Sequence, residues 1–275
     1  MSHPVRTTCS FVLFLIAGIV AAIVATNTGH LLFDVAWPLL LLAPFLGLLV
    51  AGRTKRHESV IDGDQVLRHD GAARLSHWTH ALGTVALIVT GILLGASLLG
   101  AGQQTWLVMN LHAVAAWFFL FGTFYYAGNT VISSWRLKGH LPTKNFLKYS
   151  IQHYGHMLGV KKYSMPPEKK FFESEKIAFV IAVFSAALLV ITGIIKVLAH
   201  VIHGIPGALM QVTFIVHDAS AILITLFLLA HLFFGAVIPS AWPGLHSMLS
   251  GYMSLDVVKK DYPGWYEELK EADNE

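Results

Sequence analysis

Runs of mainly apolar residues recur along the chain at about 10–27, 33–52, 77–100, 111–133, 177–200 and 212–238. A helix of roughly 20 residues crosses a hydrocarbon layer of about 30 Å, so the pattern predicts six helical spans. The first two runs are separated only by a turn around Asn27-Thr28-Gly29-His30, and the second contains Pro38 and Pro44. A tight, kinked hairpin is expected there. The first run also has the outline of a signal peptide, because Arg6 precedes an apolar stretch followed by small residues. No clean A-x-A site follows it, and a retained span is the preferred reading.

Composition agrees with a lipid solvent. Of 275 residues 55% are hydrophobic and 13% charged, with mean hydropathy +0.61, far from the balance of a soluble domain. The charges are sided. Arg53, Lys55, Arg56, Arg68 and Arg74 lie in segment 53–76, nine further lysines and arginines between Arg136 and Lys176, and Lys259, Lys260 and Lys270 in the tail. Loops 101–110 and 201–211 contain none. By the positive-inside rule both termini and the long loop face the cytoplasm of a bacterial inner membrane. The basic residues read as topology anchors, and a nucleic-acid partner is not expected. The chain divides into an N-terminal hairpin (1–56), a four-helix core (57–250) with a loop at 134–176, and a tail (251–275).

The candidate chemistry is histidine chemistry. Cys9 is the only cysteine, so neither a CxxCH attachment site nor a cysteine cluster is available for a metal. Of 15 histidines, His77, His80, His112, His217 and His231 fall within or at the edge of spans, where ionisable residues are functional candidates by default. His217 and His231 are 14 residues apart on one span, about 40° apart around the helix and about 21 Å along it. Alternating span direction puts His112 at the outer level with His217 and His77 at the inner level with His231. Two bis-imidazole haem b sites stacked across one membrane follow, six-coordinate and suited to electron transfer.

His80, one turn from His77, is an alternative inner ligand or a partner for a haem propionate. Glycines 83, 91, 122 and 193 allow either a porphyrin or a neighbouring helix to approach, with helix contact the plainer reading. A T-G-I triplet occurs twice, as Thr90-Gly91-Ile92 and Thr192-Gly193-Ile194. Asp218 is placed either to orient an imidazole or simply to mark a polar span end.

Several of these stretches resemble the cytochrome b (gamma) subunit of membrane-bound formate dehydrogenases, a relative of nickel–iron hydrogenase cytochrome b subunits. They are Arg74-Leu-Ser-His-Trp-Thr79, Leu111-His112 with Gly122, Leu188 to Gly193, and Val216-His217-Asp-Ala continuing to His231. The tail segment Tyr262-Pro-Gly-Trp-Tyr266 resembles the P-x-W-Y of the formate branch. The resemblance covers about residues 68–270. It implies a four-helix dihaem cytochrome b, all-α and integral to the membrane, with His77 preferred over His80. It also implies partners: a molybdenum or tungsten catalytic (alpha) subunit that oxidises formate and an iron–sulfur (beta) subunit. Electrons would pass inward through both haems to a quinone, menaquinone by analogy, near the cytoplasmic face. The quinone-site candidates are Lys176, Glu175, Glu173 and Phe172, the last standing where the family places an asparagine. His153 and His156 read as solvated loop histidines, or else as part of a proton path. A hydrogenase or other oxidoreductase as donor, and a histidine-containing transporter, are the competing functions.

Overall fold

A computed structural model of the chain describes residues 3–54, 57–100, 102–132 and 137–273. Lys55, Arg56 and Arg136, which contribute to the charge asymmetry, lie outside the described residues, as does Ser133 at the end of the fourth apolar run.

In chain order the helices are α1 (His3–Asn27), α2 (Leu32–Val35), α3 (Pro38–Arg53), α4 (Gly71–Gly95), α5 (Gln103–Ala127), α6 (Leu137–His140), α7 (Phe146–Met157), α8 (Glu173–Val201), α9 (Gly207–Leu232), α10 (Trp242–Ser250), α11 (Leu255–Asp261) and α12 (Pro263–Asp273). Short π-helical turns, Gly128–Ile132 and Phe233–Val237, extend α5 and α9. Four helical segments are long and apolar enough to cross a membrane: Gly71–Gly95, Gln103–Thr130, Glu173–Val201 and Gly207–Val237. Their outward faces carry apolar side chains such as Leu82, Phe184, Ile215 and Ile222 in exposed positions, as lipid requires. The protein is therefore an all-α, multi-pass membrane bundle. The hairpin helices have shorter apolar parts, Val12–Asn27 and Pro38–Arg53, and α3 continues through Pro44 as one helix. Its 16 residues extend about 24 Å.

The core helices begin earlier than the apolar runs. α4 starts at Gly71 because Asp70 caps it, its carboxylate accepting the N–H of Ala73 at 2.8 Å and that of His57 at 3.0 Å. Such polar first turns are part of the helix, yet hydropathy alone leaves them out.

Packing is tightest around α5. A Cβ added at Gly83 would lie 2.9 Å from the backbone nitrogen of Phe119, one at Gly122 3.2 Å from that of His80, and one at Gly47 2.6 Å from the carbonyl oxygen of Phe121. Thus α3 and α4 both cross α5 at glycine contacts that no side chain fits without displacement. α8 packs along α9, whereas α4 and α9 touch only sparingly.

At the end opposite the basic segments, the hairpin is pinned by Asn110. Fully buried on α5, it accepts the N–H of Leu32 at 2.8 Å and donates to Thr26 Oγ1 at 3.0 Å and to the carbonyl of His30 at 3.1 Å. At the basic end, β1 (Ile61–Asp62), β2 (Gln65–Leu67) and β3 (Tyr252–Ser254) form a small antiparallel sheet pairing Val66 with both Ile61 and Met253. The chain after α10 thus folds back, and Val66, Phe172, Met253, Val258, Tyr262, Trp265 and Leu269 form one apolar core. Arg68 locks this cap, donating to Tyr262 Oη at 2.6 Å and to the carbonyl of Lys170 at 3.2 Å, and approaching the Glu175 carboxylate at 3.4 Å.

Asn110→Leu strands the Leu32 N–H and the His30 carbonyl in an apolar setting, at about 1–3 kcal/mol for each buried group left unpaired. We expect a melting temperature in detergent lower by about 5–10 °C and faster proteolysis of the α1–α3 hairpin. An unchanged melting curve would remove Asn110 from its role as the pin.

Candidate functional site

The four paired histidines occupy two levels. His77, near the start of α4, faces His231 in the last turn of α9, with ring centroids 6.1 Å apart and planes inclined by 53°. His231 stacks on Phe227 at 5.8 Å, and Trp78 stands edge-on to His77 at 5.2 Å. About 21 Å away along α9, His217 shares the other level with His112 of α5, near enough for their charges to interact.

Each of these latter rings is held by a threonine on the preceding helix. Thr90 Oγ1 lies 2.7 Å from His112 Nδ1, and Thr192 Oγ1 lies 2.8 Å from His217 Nδ1. A hydroxyl has one hydrogen. Thr90 gives it to the carbonyl of Ala86 at 2.7 Å and Thr192 to that of Leu188 at 2.6 Å. Toward the histidines both hydroxyls must therefore act as acceptors, which places the imidazole proton on Nδ1 and leaves Nε2 with its lone pair. The glycine after each threonine lies beside the same ring: a Cβ at Gly91 or Gly193 would stand in ordinary contact, 3.8 Å from Cε1 of His112 or His217. Glycines 83 and 122 serve helix contact, while 91 and 193 face histidine rings.

His80 is directed elsewhere. Its Nε2 bonds Thr123 Oγ1 at 3.1 Å and its ring lies 4.6 Å from that of Phe119, so it faces α5 and not His231. Asp218 does not orient His217, whose Nδ1 is taken by Thr192. It lies instead near Lys196, whose ammonium sits 4.9 Å from the Phe214 ring centre.

All four quinone-site candidates are committed to one another or to the cap. Glu173 and Lys176, 3% and 7% exposed in their side chains, pair at 2.6 Å, and Glu173 also accepts the N–H of Thr143 at 2.8 Å. Phe172 stacks on Tyr262 at 4.5 Å and lies edge-on to His153 at 4.1 Å. Glu175 differs only in exposure. One of its oxygens accepts the N–H of Phe172 at 3.0 Å and the other approaches Arg68 at 3.4 Å, yet its side chain is 42% exposed, and it is near enough to His231 to influence it electrostatically.

His153 is not a solvated loop residue. It is buried on α7, bonds Ser174 Oγ at 2.8 Å, and burial lowers its pKa to about 4. His156 is exposed. Glu168, 2% exposed, was not foreseen by any sequence signal. Both its oxygens accept the N–H of Glu173, at 3.3 and 3.2 Å, and burial raises its pKa to about 7 against those hydrogen bonds. The threonine partners were missed as well, although the repeated T-G-I triplet carried the signal.

Apolar helices enclosing facing imidazoles define a class, the membrane cytochromes b. The comparison with family models makes this specific. Residues 68–251 match the model for prokaryotic cytochrome b561, and the chain belongs to that family. The comparison with curated proteins returned no match. The family implies haem b and electron transfer within the membrane. The residues fit such a group. Two imidazoles bonded end-on to one metal at about 2 Å, with ring centres about 1 Å beyond each nitrogen, stand about 6 Å apart, as His77 and His231 do. Nε2 of His112 and of His217 carries the free lone pair that ligation needs.

The cap makes a pH prediction. Glu168 holds its proton more tightly folded, near 7, than unfolded, so its burial costs stability increasingly as pH rises from about 5 to about 7. His153 acts with the opposite sign. Being held neutral, it costs stability as pH falls below its unfolded value of 6.5 toward about 4. Relative to wild type, Glu168→Gln should gain thermal stability progressively from pH 5 to 7, and His153→Gln should gain it from pH 6.5 down to 4.5. Melting curves in detergent that keep a constant offset across these intervals would contradict both assignments.

Proposed function

We propose that this chain is the dihaem, quinone-reducing subunit of a membrane-bound formate dehydrogenase. The observation that carries the reading is the apposition of imidazoles at two levels of one bundle, with His231 of α9 facing His77 of α4 and His217 near His112 of α5. His112 and His217 would hold an outer haem b and His77 and His231 an inner one, supplying one-electron redox chemistry with no open coordination position. The positive-inside rule supports placing the basic cap and both termini in the cytoplasm. Electrons would enter from a periplasmic molybdenum or tungsten catalytic subunit through an iron–sulfur subunit and leave to menaquinone at the cytoplasmic side. Formate oxidation itself belongs to another chain.

The residues around the inner pair suit the second half of that task. Glu175 presents a half-exposed carboxylate, held by the Phe172 N–H and beside the Arg68 guanidinium, close to His231, a position from which it can bond a quinone head group and pass it a proton. Phe172 and the internally neutralised Glu173–Lys176 pair form the wall behind it. Charge carried inward by electrons and balanced by protons from the cytoplasm works against the membrane potential, about 2.3 kcal/mol per charge per 100 mV.

The formate assignment is supported by Tyr262-Pro-Gly-Trp-Tyr266, whose Tyr262 and Trp265 build the cap core. The family match ends at residue 251, before this motif, so the shared core is equally compatible with a hydrogenase or another periplasmic oxidoreductase as donor. Full-length tagged protein isolated from native membranes should bring with it a molybdenum or tungsten subunit and an iron–sulfur subunit; a nickel–iron subunit would favour the second reading. The haem reading is tested by a reduced-minus-oxidised spectrum with haem quantified per chain. Wild type should hold two haems b and His217→Ala about half as much. Absence of b-type bands would end the proposal, and full haem in His217→Ala would refute the pairing.

A further inference from the structure

The two T-G-I triplets do the same thing in two places. Each lies on a helix packed against the one that carries the histidine, α4 against α5 and α8 against α9. Each threonine is buried, returns its own proton to the carbonyl four residues back, and accepts Nδ1–H from an imidazole. Each following glycine lies beside the same ring, where an added Cβ would stand 3.8 Å from Cε1 in both places. Ordinary helix packing asks for the small residue but not for a hydroxyl aimed at a ring nitrogen. Among the described residues, neither His77 nor His231 has such an acceptor, although Thr79 and Thr225 offer hydroxyls on the same helices, bonded only to their own backbones.

We infer that Thr90 and Thr192 are positioning residues that lock His112 and His217 in the Nδ1–H tautomer, aim Nε2 at a shared metal, and lower the reduction potential at that level. The inference rests on the haem reading of this histidine pair. Its physical basis is the strengthening of an imidazole ligand when its distal N–H finds an acceptor. Electron density drawn onto the ring stabilises the oxidised, more positive metal. The inner pair lacks this device, so the difference between the levels favours electron passage inward, from His112–His217 toward His77–His231.

The test is a potentiometric titration of the intact haem-loaded protein, with haem content and low-spin electron paramagnetic resonance recorded on each variant. Thr90→Val and Thr192→Val keep the shape and remove the acceptor, while Thr90→Ser and Thr192→Ser keep the acceptor. Thr213→Val, a buried threonine bonded only to Leu209, controls for the loss of a backbone-bonded hydroxyl. We expect each active Val variant to raise the midpoint of one haem by a threefold to tenfold change in its redox equilibrium, tenfold being about 59 mV for one electron. The second haem, both Ser variants and Thr213→Val should remain at wild-type values. Loss of one haem in the Val variants with retention in the Ser variants also supports the role. An unchanged or lowered midpoint at full haem, or haem loss in the Ser variants too, overturns it. A wild-type protein with no b-type centre would instead refute the underlying haem reading.

Discussion

A neutral imidazole inside an apolar bundle brings one N–H and one lone pair with it, and hydrocarbon satisfies neither. Most of the architecture around His112 and His217 follows from that constraint. The N–H is taken by a threonine oxygen whose own proton is already committed to its helix, so the ring cannot reverse its tautomer unless that hydroxyl gives up its carbonyl and turns its proton to the ring. The lone pair is left on Nε2, on the side away from the threonine. Helices that carry these rings must come within side-chain reach of the threonine helices, as α5 does with α4 and α9 with α8. His80 obeys the same constraint in a different way. With its Nε2 bonded to Thr123 and its ring on Phe119, it is turned into the α4–α5 interface and away from His231.

Charge at the basic end is handled by pairing rather than by exposure. Lys176 and Glu173 neutralise one another out of water, and Arg68 is surrounded by the Tyr262 hydroxyl, the Lys170 carbonyl and the Glu175 carboxylate. Removing one member of a buried pair costs about 3–5 kcal/mol, more than the intact pair contributes to stability. Such a cluster therefore specifies one arrangement of the loop, the start of α8 and the tail more than it stabilises them. Its specificity has a use. It holds the Glu175 carboxylate near His231 while the rest of the cluster stays internally satisfied, so the inner pair has one half-open acidic group beside it.

The bundle was legible because lipid leaves a strong mark on composition: apolar runs, sided lysines and arginines, and a 14-residue interval between two histidines. Helix starts were misplaced by five to eight residues, at Gly71, Gln103 and Gly207, because polar first turns look like loop to a hydropathy pattern. The cap was not legible at all. Its strands are two or three residues long, and Val66 pairs with Met253 across most of the chain; no local periodicity encodes such a contact. For the same reason His153, in a basic and apparently solvated stretch, turned out to be buried against Ser174 and Phe172. The threonine acceptors fell between these cases. Their repetition was visible, but a T-G pair on an apolar helix reads first as a packing device, and only the tertiary structure shows which ring each hydroxyl meets.

One consequence of helical geometry ties the two levels together. Fourteen residues fall short of four full turns by about 40°, so His217 and His231 do not point in one direction from α9. A single partner helix would be badly matched by such an offset. Here the partners are two: His231 meets His77 on α4, and His217 shares its level with His112 on α5. Since α4 and α5 cross closely at Gly83 and Gly122, the two partner histidines are carried on helices fixed to one another, and the offset on α9 is met by two helices and not one. The close crossing of α4 and α5 thus fixes the separation of the two partner histidines, and a glycine contact between those helices helps decide where both stand relative to α9.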